Sequence, residues 1–225
     1  MKDSGVETAR RRQAGAELRL AIPRGALFTE TLDLLDRAGF DTTEPRSDSR
    51  ALIFELDGLT VVTIRPSDVP TYVEAGAADL GITGKDVLDE QPISAVYQLA
   101  DLGYGRCRMV VAAIAGDDAM ETAHERLGSM RIATKYFRTA ERYFQRTGRV
   151  AEVIEVKGST ELAPLVGLAD GIVDLVDTGR TLAENGLEVR EEISTSTARL
   201  VANRVAHKLR VDEIDRMVER LRASA

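Results

Sequence analysis

Cysteine and histidine are scarce in this chain of 225 residues, and each shortage removes a class of chemistry. The single cysteine, Cys107, excludes any intramolecular disulfide and cysteine-rich zinc sites with it. Two histidines, His124 and His207, are too few for a three-histidine metal site. No apolar run approaches the ~18 residues that a membrane span requires. The start is polar, with Arg10, Arg11 and Arg12 together, and lacks the apolar segment of a secretory signal. Residues 1–17 therefore read as a flexible N-terminal tail, and the expected location is cytoplasmic. Basic residues are outnumbered, 30 against 37 acidic, which leaves a net charge of −7. That balance argues against a broad nucleic-acid surface but permits a local basic pocket for phosphates.

Hydrophobic residues make up 44% and charged residues 30%, an ordinary globular balance. Short apolar runs alternate with amphipathic stretches from Leu18 onward. Leu18–Pro23 reads as a strand, and Gly25 opens a helix that ends near Gly39. Ala51–Leu56 and Leu59–Ile64 flank Asp57-Gly58, a dipeptide that type I′ hairpin turns favour. Ser67 or Asp68 is placed to cap the helix up to Gly76, and Asp79–Thr83 reads as a strand. Further strands are expected at Cys107–Ile114, Arg131–Thr134, Val150–Val156 and Gly171–Val176, with helices at Arg138–Thr147, Thr160–Leu168 and Val211–Ala223. This alternation predicts an α/β architecture with mainly parallel sheets. The expected crossings at Ala100–Gly105 and Gly186–Ser194 give domain I as 18–104 plus 187–225, with domain II, 105–186, inserted into it and a cleft between the two lobes.

The most informative segment runs from Glu161 to Leu182. A buried strand delivers the chain into Asp177-Thr178-Gly179-Arg180-Thr181, and Thr181-Leu182 can start the next helix. Backbone N–H groups converging at such a turn, two threonine hydroxyls and a guanidinium are the parts of a phosphate cradle. Read on these residues alone, a tight strand–helix turn with exposed polar groups explains them equally well. Asp174 and Asp177 stand where they can accept hydrogen bonds from ribose hydroxyls or hold a metal. Other phosphate motifs fail: position 79, five residues before Gly84-Lys85, is aspartate, and Asp86 stands where a Walker loop needs Ser or Thr. No GxSxG elbow occurs. Cys107, at the start of an apolar strand, reads as a small core residue, and His124 and His207 read as surface residues. Asp86, Asp89 and Glu90 form an acidic helix start that suits the helix dipole.

Glu161 and Gly167, then Ile172-x-Asp174-Leu175, then Thr178-Gly179-x-Thr181-Leu182, together resemble the signature of the ATP phosphoribosyltransferase family. Pro23-Arg24-Gly25, the stretch Ala78 to Gly84, Gly105-x-Cys107-Arg108 and Ala133-Thr134-Lys135-Tyr136 extend the likeness over roughly Leu18 to Ala223. Phe137 departs from it, standing where the family usually has proline. The chain ends after one C-terminal helix, so the resemblance is to the short form, which works with a regulatory partner similar to histidyl-tRNA synthetase.

The resemblance implies two lobes similar to the periplasmic-binding-protein type II fold, with the active site in the interlobe cleft. It also implies transfer of the phosphoribosyl group of phosphoribosyl pyrophosphate (PRPP) to N1 of ATP, with release of pyrophosphate, as the first step of histidine biosynthesis. Asp177, Thr178, Gly179, Arg180 and Thr181 would then bind PRPP. Arg108, Lys135 and Asp174 would serve catalysis, with Asp174 on the ribose hydroxyls or in a Mg²⁺ shell. Arg24, Gly25 and Asp86 would lie with ATP or its phosphates. Mg²⁺ accompanying the two substrates, self-association to at least a dimer and a hetero-oligomer with the regulatory subunit complete the expectation. The competing reading is a two-lobed small-molecule binding or regulatory protein without catalysis. It suits the phrase Asp79–Gly84, but predicts an export signal and gives the Thr178–Thr181 turn beside Asp174 no ribose phosphate to hold.

Overall fold

The computed structural model describes residues 17–47, 50–91 and 96–225. Its strands, in chain order, are β1 (Leu18–Pro23), β2 (Ile53–Leu56), β3 (Leu59–Ile64), β4 (Leu80–Gly84), β5 (Val96–Asp101), β6 (Cys107–Ile114), β7 (Met130–Thr134), β8 (Ala151–Glu155), β9 (Gly171–Val176), β10 (Leu187–Ser196) and β11 (Ala198–Asn203). The helices are α1 (Phe28–Arg37), α2 (Thr43–Arg46), α3 (Val69–Glu74), α4 (Lys85–Glu90), α5 (Ala119–Leu127), α6 (Phe137–Arg146), α7 (Leu162–Leu165), α8 (Arg180–Glu184), α9 (Arg204–Leu209) and α10 (Val211–Ser224). The tail expected at 1–17 lies, but for Glu17, outside the described residues.

The chain divides into two units. The first takes the described parts of Met1–Gly84, Ile93–Tyr104 and Ala198–Ala225; the second takes those of Lys85–Pro92 and Gly105–Thr197. In the first unit the sheet order is β2-β3-β1-β4-β11-β5. β3, β1 and β4 run parallel, while β2 and the pair β11-β5 are antiparallel to their neighbours. Leu20 and Ile22 of β1, Leu80 and Ile82 of β4, and Leu200 of β11 share a core with Leu32 and Leu35 of α1 and with Ile214, Met217, Val218 and Leu221 of α10. The period of apolar residues in Val211–Ala223 thus finds its sheet, as a C-terminal amphipathic helix should. On the other face α3 lies so close that a Cβ on Gly81 would stand 2.6 Å from Val73 and 2.7 Å from Val69. Only glycine fits there.

In the second unit the order is β10-β6-β9-β7-β8. β9, β7 and β8 are parallel, and β6 is antiparallel to both β9 and β10. Beyond Arg108, β6 is apolar from Met109 to Ile114 because it is covered twice, as central strands of α/β sheets are. Met109, Val111 and Ala113 face a core with Ala140, Tyr143 and Phe144 of α6. Val110 and Ala112 face Ala163 of α7 and Leu182 of α8.

Both sheets are therefore mixed, a correction to the mainly parallel arrangement expected. The boundary at 187 also moves. β10 pairs along its length with β6, so the chain returns to the first unit after Thr197, and the described part of 85–92 belongs to the second unit as well. Two local expectations change. Neither Ser67 nor Asp68 caps α3: a 3-10 turn at Pro66–Asp68 precedes it, and Asp68 makes no side-chain cap. The β2–β3 hairpin forms, but only Gly58 has positive φ, so the turn is not type I′, which needs it at Asp57 too.

β10 is held to α6 and the following loop by side chains. Arg149 makes a two-pronged ion pair with Glu191 of β10, at 2.6 and 2.9 Å, and the Tyr143 hydroxyl donates to the same carboxylate at 2.5 Å. Hydrogen bonds from Arg149 hold the Glu191 carboxyl below its ordinary value of 4.5. A carboxyl depressed in the folded state contributes stability above its ordinary value and loses it as pH falls through the folded one. Glu191→Gln should accordingly flatten the fall in melting temperature that the parent shows as pH drops below about 4.5, as read by thermal melts across an acid pH series. Identical acid limbs in parent and variant would refute the assignment.

Candidate functional site

Strand direction places the chemistry. β7, β8 and β9 are parallel, so their carboxyl ends, and the loops that leave them, share one edge of the second sheet. β6 runs the other way and begins at that edge, with Arg108 paired to Val176. β10, antiparallel to β6, ends there, with Ser196 opposite Cys107. Outside the carboxyl ends of strands is where α/β sheets bind ligands, because loops and helix starts gather there.

From β9 the chain enters Asp177-Thr178-Gly179-Arg180-Thr181. Gly179 takes φ 81°, the left-handed conformation that lets the strand turn directly into α8. Thr178 Oγ1 accepts the Arg180 N–H at 3.4 Å. Asp177, Thr178, Arg180 and Thr181 are all exposed, and among the described residues no carboxylate is paired with Arg180. The turn is thus preformed, with its cation and hydroxyls facing water.

The register sets the next pair. Ala133 lies opposite Ile172 and Thr134 opposite Val173, so Lys135 follows on the same sheet face as Asp174. Lys135 Nζ stands 3.2 Å from Asp174 Oδ1, which also accepts the Leu175 N–H at 2.7 Å. Asp174 is buried at 6% exposure while Lys135 is open to solvent. A buried carboxylate needs such partners, since an unpaired buried charge is costly. Arg108 reaches the same edge, where Glu192 of β10 meets it at 3.4 Å.

Asp86 is occupied differently. The Ser196 hydroxyl donates to its carboxylate at 2.8 Å and accepts its N–H at 3.0 Å, pinning the first turn of α4 to the end of β10. An acid so engaged is poorly suited to contact phosphate. Cys107 is half-buried, and burial pushes its thiol up to about 11, away from any nucleophilic role near neutral pH. Arg24 and Gly25 belong to the first unit, at the carboxyl edge of its own sheet after β1. The Arg24 guanidinium donates to Thr63 Oγ1 at 3.1 Å and to the Ala51 carbonyl at 2.8 Å. Gly25 has φ 96° and open space where a side chain would stand.

Two residues of the second unit, Tyr136 and Glu90, were not among the expected site residues. Tyr136 is pushed above its ordinary value by burial, then by the negative charges of Asp86 and Asp174, so its hydroxyl keeps its proton. Lys135 lies over its ring at 5.2 Å. Glu90 accepts the N–H groups of Arg138 and Thr139, at 3.0 and 2.7 Å, and caps α6 from another helix. α6 begins at Phe137, and Tyr136 before it offers no side-chain cap, so the acid of α4 fills the gap.

Among the described residues no group of three His, Cys, Asp or Glu side chains could hold a metal ion. With Asp174 Oδ1 already shared by Lys135 and an amide, the donor set does not fit a resident metal. Hollows of ≈ 500 and ≈ 470 Å³ open at the opposite end of the first unit's strands, near Leu18, Gly58 and Arg19. None of the site groups described above lines them. No helix among the described residues is long and apolar enough to cross a membrane.

Residues 65–223 match the family model described as HisG: ATP phosphoribosyltransferase. An ATP phosphoribosyltransferase of Rubrobacter xylanophilus is 53% identical over 200 residues, 88% of this chain and 91% of the relative. That of Symbiobacterium thermophilum is 50% identical over 206 residues, 90% and 92% of the two chains. Among solved structures, the ATP phosphoribosyl transferase (HisG:HisZ) complex of Thermotoga maritima superposes with TM-score 0.76 at 35% identity, covering 92% of this chain and 98% of that one. The periplasmic aliphatic sulphonate binding protein SsuA of Escherichia coli gives TM-score 0.60 at 13% identity, covering 92% and 68%, a likeness of fold alone.

Removing the Glu90 cap should cost about 1 kcal/mol, the usual scale for a lost cap. Urea titration of Glu90→Ala should show a lower midpoint with an unchanged slope. An unchanged midpoint would mean that solvent satisfies the start of α6 as well as Glu90 does.

Proposed function

The chain belongs to the ATP phosphoribosyltransferase family, and from that premise we propose a division of labour along the carboxyl edge of its second sheet. The enzyme joins C1 of the ribosyl donor PRPP to N1 of the ATP adenine and releases pyrophosphate, the first step of histidine biosynthesis. The bond from C1 to the pyrophosphate oxygen breaks as the bond to N1 forms. Positive charge develops on the ribose and negative charge on the leaving group. Such a step needs positioning and charge compensation rather than a covalent nucleophile.

One observation carries the assignment: a preformed turn with an uncompensated guanidinium stands on the same strand end as a buried carboxylate. In the proposed arrangement Thr178, Gly179, Arg180 and Thr181 take the 5-phosphate of PRPP, with Asp177 at the ribose side of the turn. Asp174 accepts hydrogen bonds from the ribose hydroxyls and, with its fixed negative charge, favours a cationic ribose. Lys135 and Arg108 face the departing pyrophosphate, and Lys135, 3.2 Å from Asp174, orients its carboxylate in the meantime. Arg24 and Gly25 offer phosphate contacts for ATP. Asp86 is left out of the phosphate-binding set, since its carboxylate is tied to Ser196 and would repel an anion. Mg²⁺ is proposed to arrive on the phosphate oxygens of the substrates, in keeping with its preference for few protein ligands.

The proposed setting is the cytoplasm, where ATP and PRPP are available. The proposed assembly is at least a dimer of this chain with a histidyl-tRNA-synthetase-like regulatory subunit, a reading supported by the HisG:HisZ complex to which the chain is similar.

The test follows the ultraviolet change of adenine on N1 ribosylation, with ATP, PRPP, Mg²⁺ and pyrophosphatase, with and without the regulatory partner. Arg180→Ala should raise KM for PRPP about tenfold, the loss of one charge-assisted contact, and leave the melting temperature near that of the parent. Asp174→Asn should lower kcat by about tenfold or more. Unchanged PRPP kinetics in the first variant would overturn the cradle, and a fall in melting temperature alone in the second would make Asp174 structural.

A further inference from the structure

We propose that Thr134 is a positioning residue for the transfer step, holding Lys135 and Asp174 in register through its hydroxyl. Thr134 is fully buried. Its Oγ1 donates to the Val173 carbonyl at 2.6 Å and accepts the Tyr136 N–H at 2.8 Å. The roles are fixed by elimination: the carbonyl can only accept and the amide can only donate, so the single hydroxyl proton points to Val173.

The placement of these bonds gives the residue its work. Val173 immediately precedes Asp174, and Thr134 and Tyr136 flank Lys135. One hydroxyl therefore ties the peptide leading into Asp174 to the segment on both sides of Lys135. It does so where β7 ends and the regular ladder can no longer hold the strands together. The Thr134 carbonyl in turn accepts the Val156 N–H at 3.0 Å, so the same residue also anchors the exit of β8. Packing does not require the oxygen, since valine has nearly the same shape. What valine would forfeit is the orientation of the peptides that carry the ion pair, and it would leave the part-buried Tyr136 amide without this partner.

This inference rests on the reading of Lys135 and Asp174 as groups that serve the ribosyl transfer. It is tested in the full chain, with the regulatory partner present if activity requires it, by comparing Thr134→Val, Thr134→Ser, Lys135→Met and the Thr134→Val/Lys135→Met double variant. Small misplacements of catalytic groups are costly, so Thr134→Val should lose about tenfold or more in kcat. Its KM for ATP should stay within about twofold of the parent, since uniform binding is not what the hydroxyl supplies. Serine, which keeps the hydroxyl, should restore most of kcat. In the Lys135→Met background the valine should cost nothing further, because the pair it serves is already gone.

A valine variant that loses only melting temperature overturns the proposal, as does a loss of kcat that multiplies with that of Lys135→Met. A serine variant as poor as valine does the same. Thr134→Ala, which removes the oxygen without adding a methyl, gives the same comparison if the valine variant does not accumulate. Lys135→Met with full kcat would take down the site assignment and this inference together. Loss in Lys135→Met without loss in Thr134→Val would overturn this inference alone.

Discussion

The parallel pairing of β7 with β9 is the constraint on which the second unit's chemistry depends. Parallel strands deliver successive loops to the same side, and the register of Thr134 with Val173 decides what each loop presents there. A slip of one residue would turn Lys135 to the opposite face from Asp174, because side chains alternate along a strand. The apolar layers on both faces make such a slip expensive. Ile132 and Val173 are committed to one core, Ala133 and Ile172 to the other. Packing far from the polar edge thus fixes the geometry at that edge.

Around this frame, charged groups divide into those that hold the protein together and those left for a ligand. Glu191 with Arg149, Arg131 with Asp170, and Glu90 with the start of α6 are satisfied within the chain. The Thr178–Thr181 turn is not. Lys135 is intermediate, paired at 3.2 Å yet solvent-exposed, and so free to exchange its partner when an anion arrives. The same two-sheet fold appears in a sulphonate-binding protein at 13% identity, which shows how little of the activity resides in the architecture and how much in the side chains at one edge.

Much of this could be read from residues alone, and where reading failed the reason is physical. β1, β3, β6 and β9 match their expected spans because they are short, apolar and bounded by turn residues. The Thr-Gly-Arg-Thr turn announces itself because glycine is needed for its left-handed step. β10 left no usable signal. Its outward positions carry glutamates, and register shifts between Val189 and Glu191 and between Glu192 and Ser194 break the two-residue alternation. Its membership of the second unit, and the boundary that follows from it, come only from pairing. For Asp86, sequence shows an acid at a helix start, which suits the dipole, but not the serine, 110 positions later, that bonds to its carboxylate. Tyr136 and Thr134 were visible as letters of a motif, while their surroundings are long-range.

The contribution of β10 and α4 from beyond the stretch 105–186 also bears on how the gene could be cut. A fragment expressed over 105–186 would leave β6 with one whole side of backbone amides and carbonyls unpaired, together with an uncapped α6. An open edge strand carrying Met109 to Ile114 is a template for cross-strand association between copies. Such a fragment would be selected against as sticky rather than merely unstable, so recombination that shuffles this unit must carry its distant segments along.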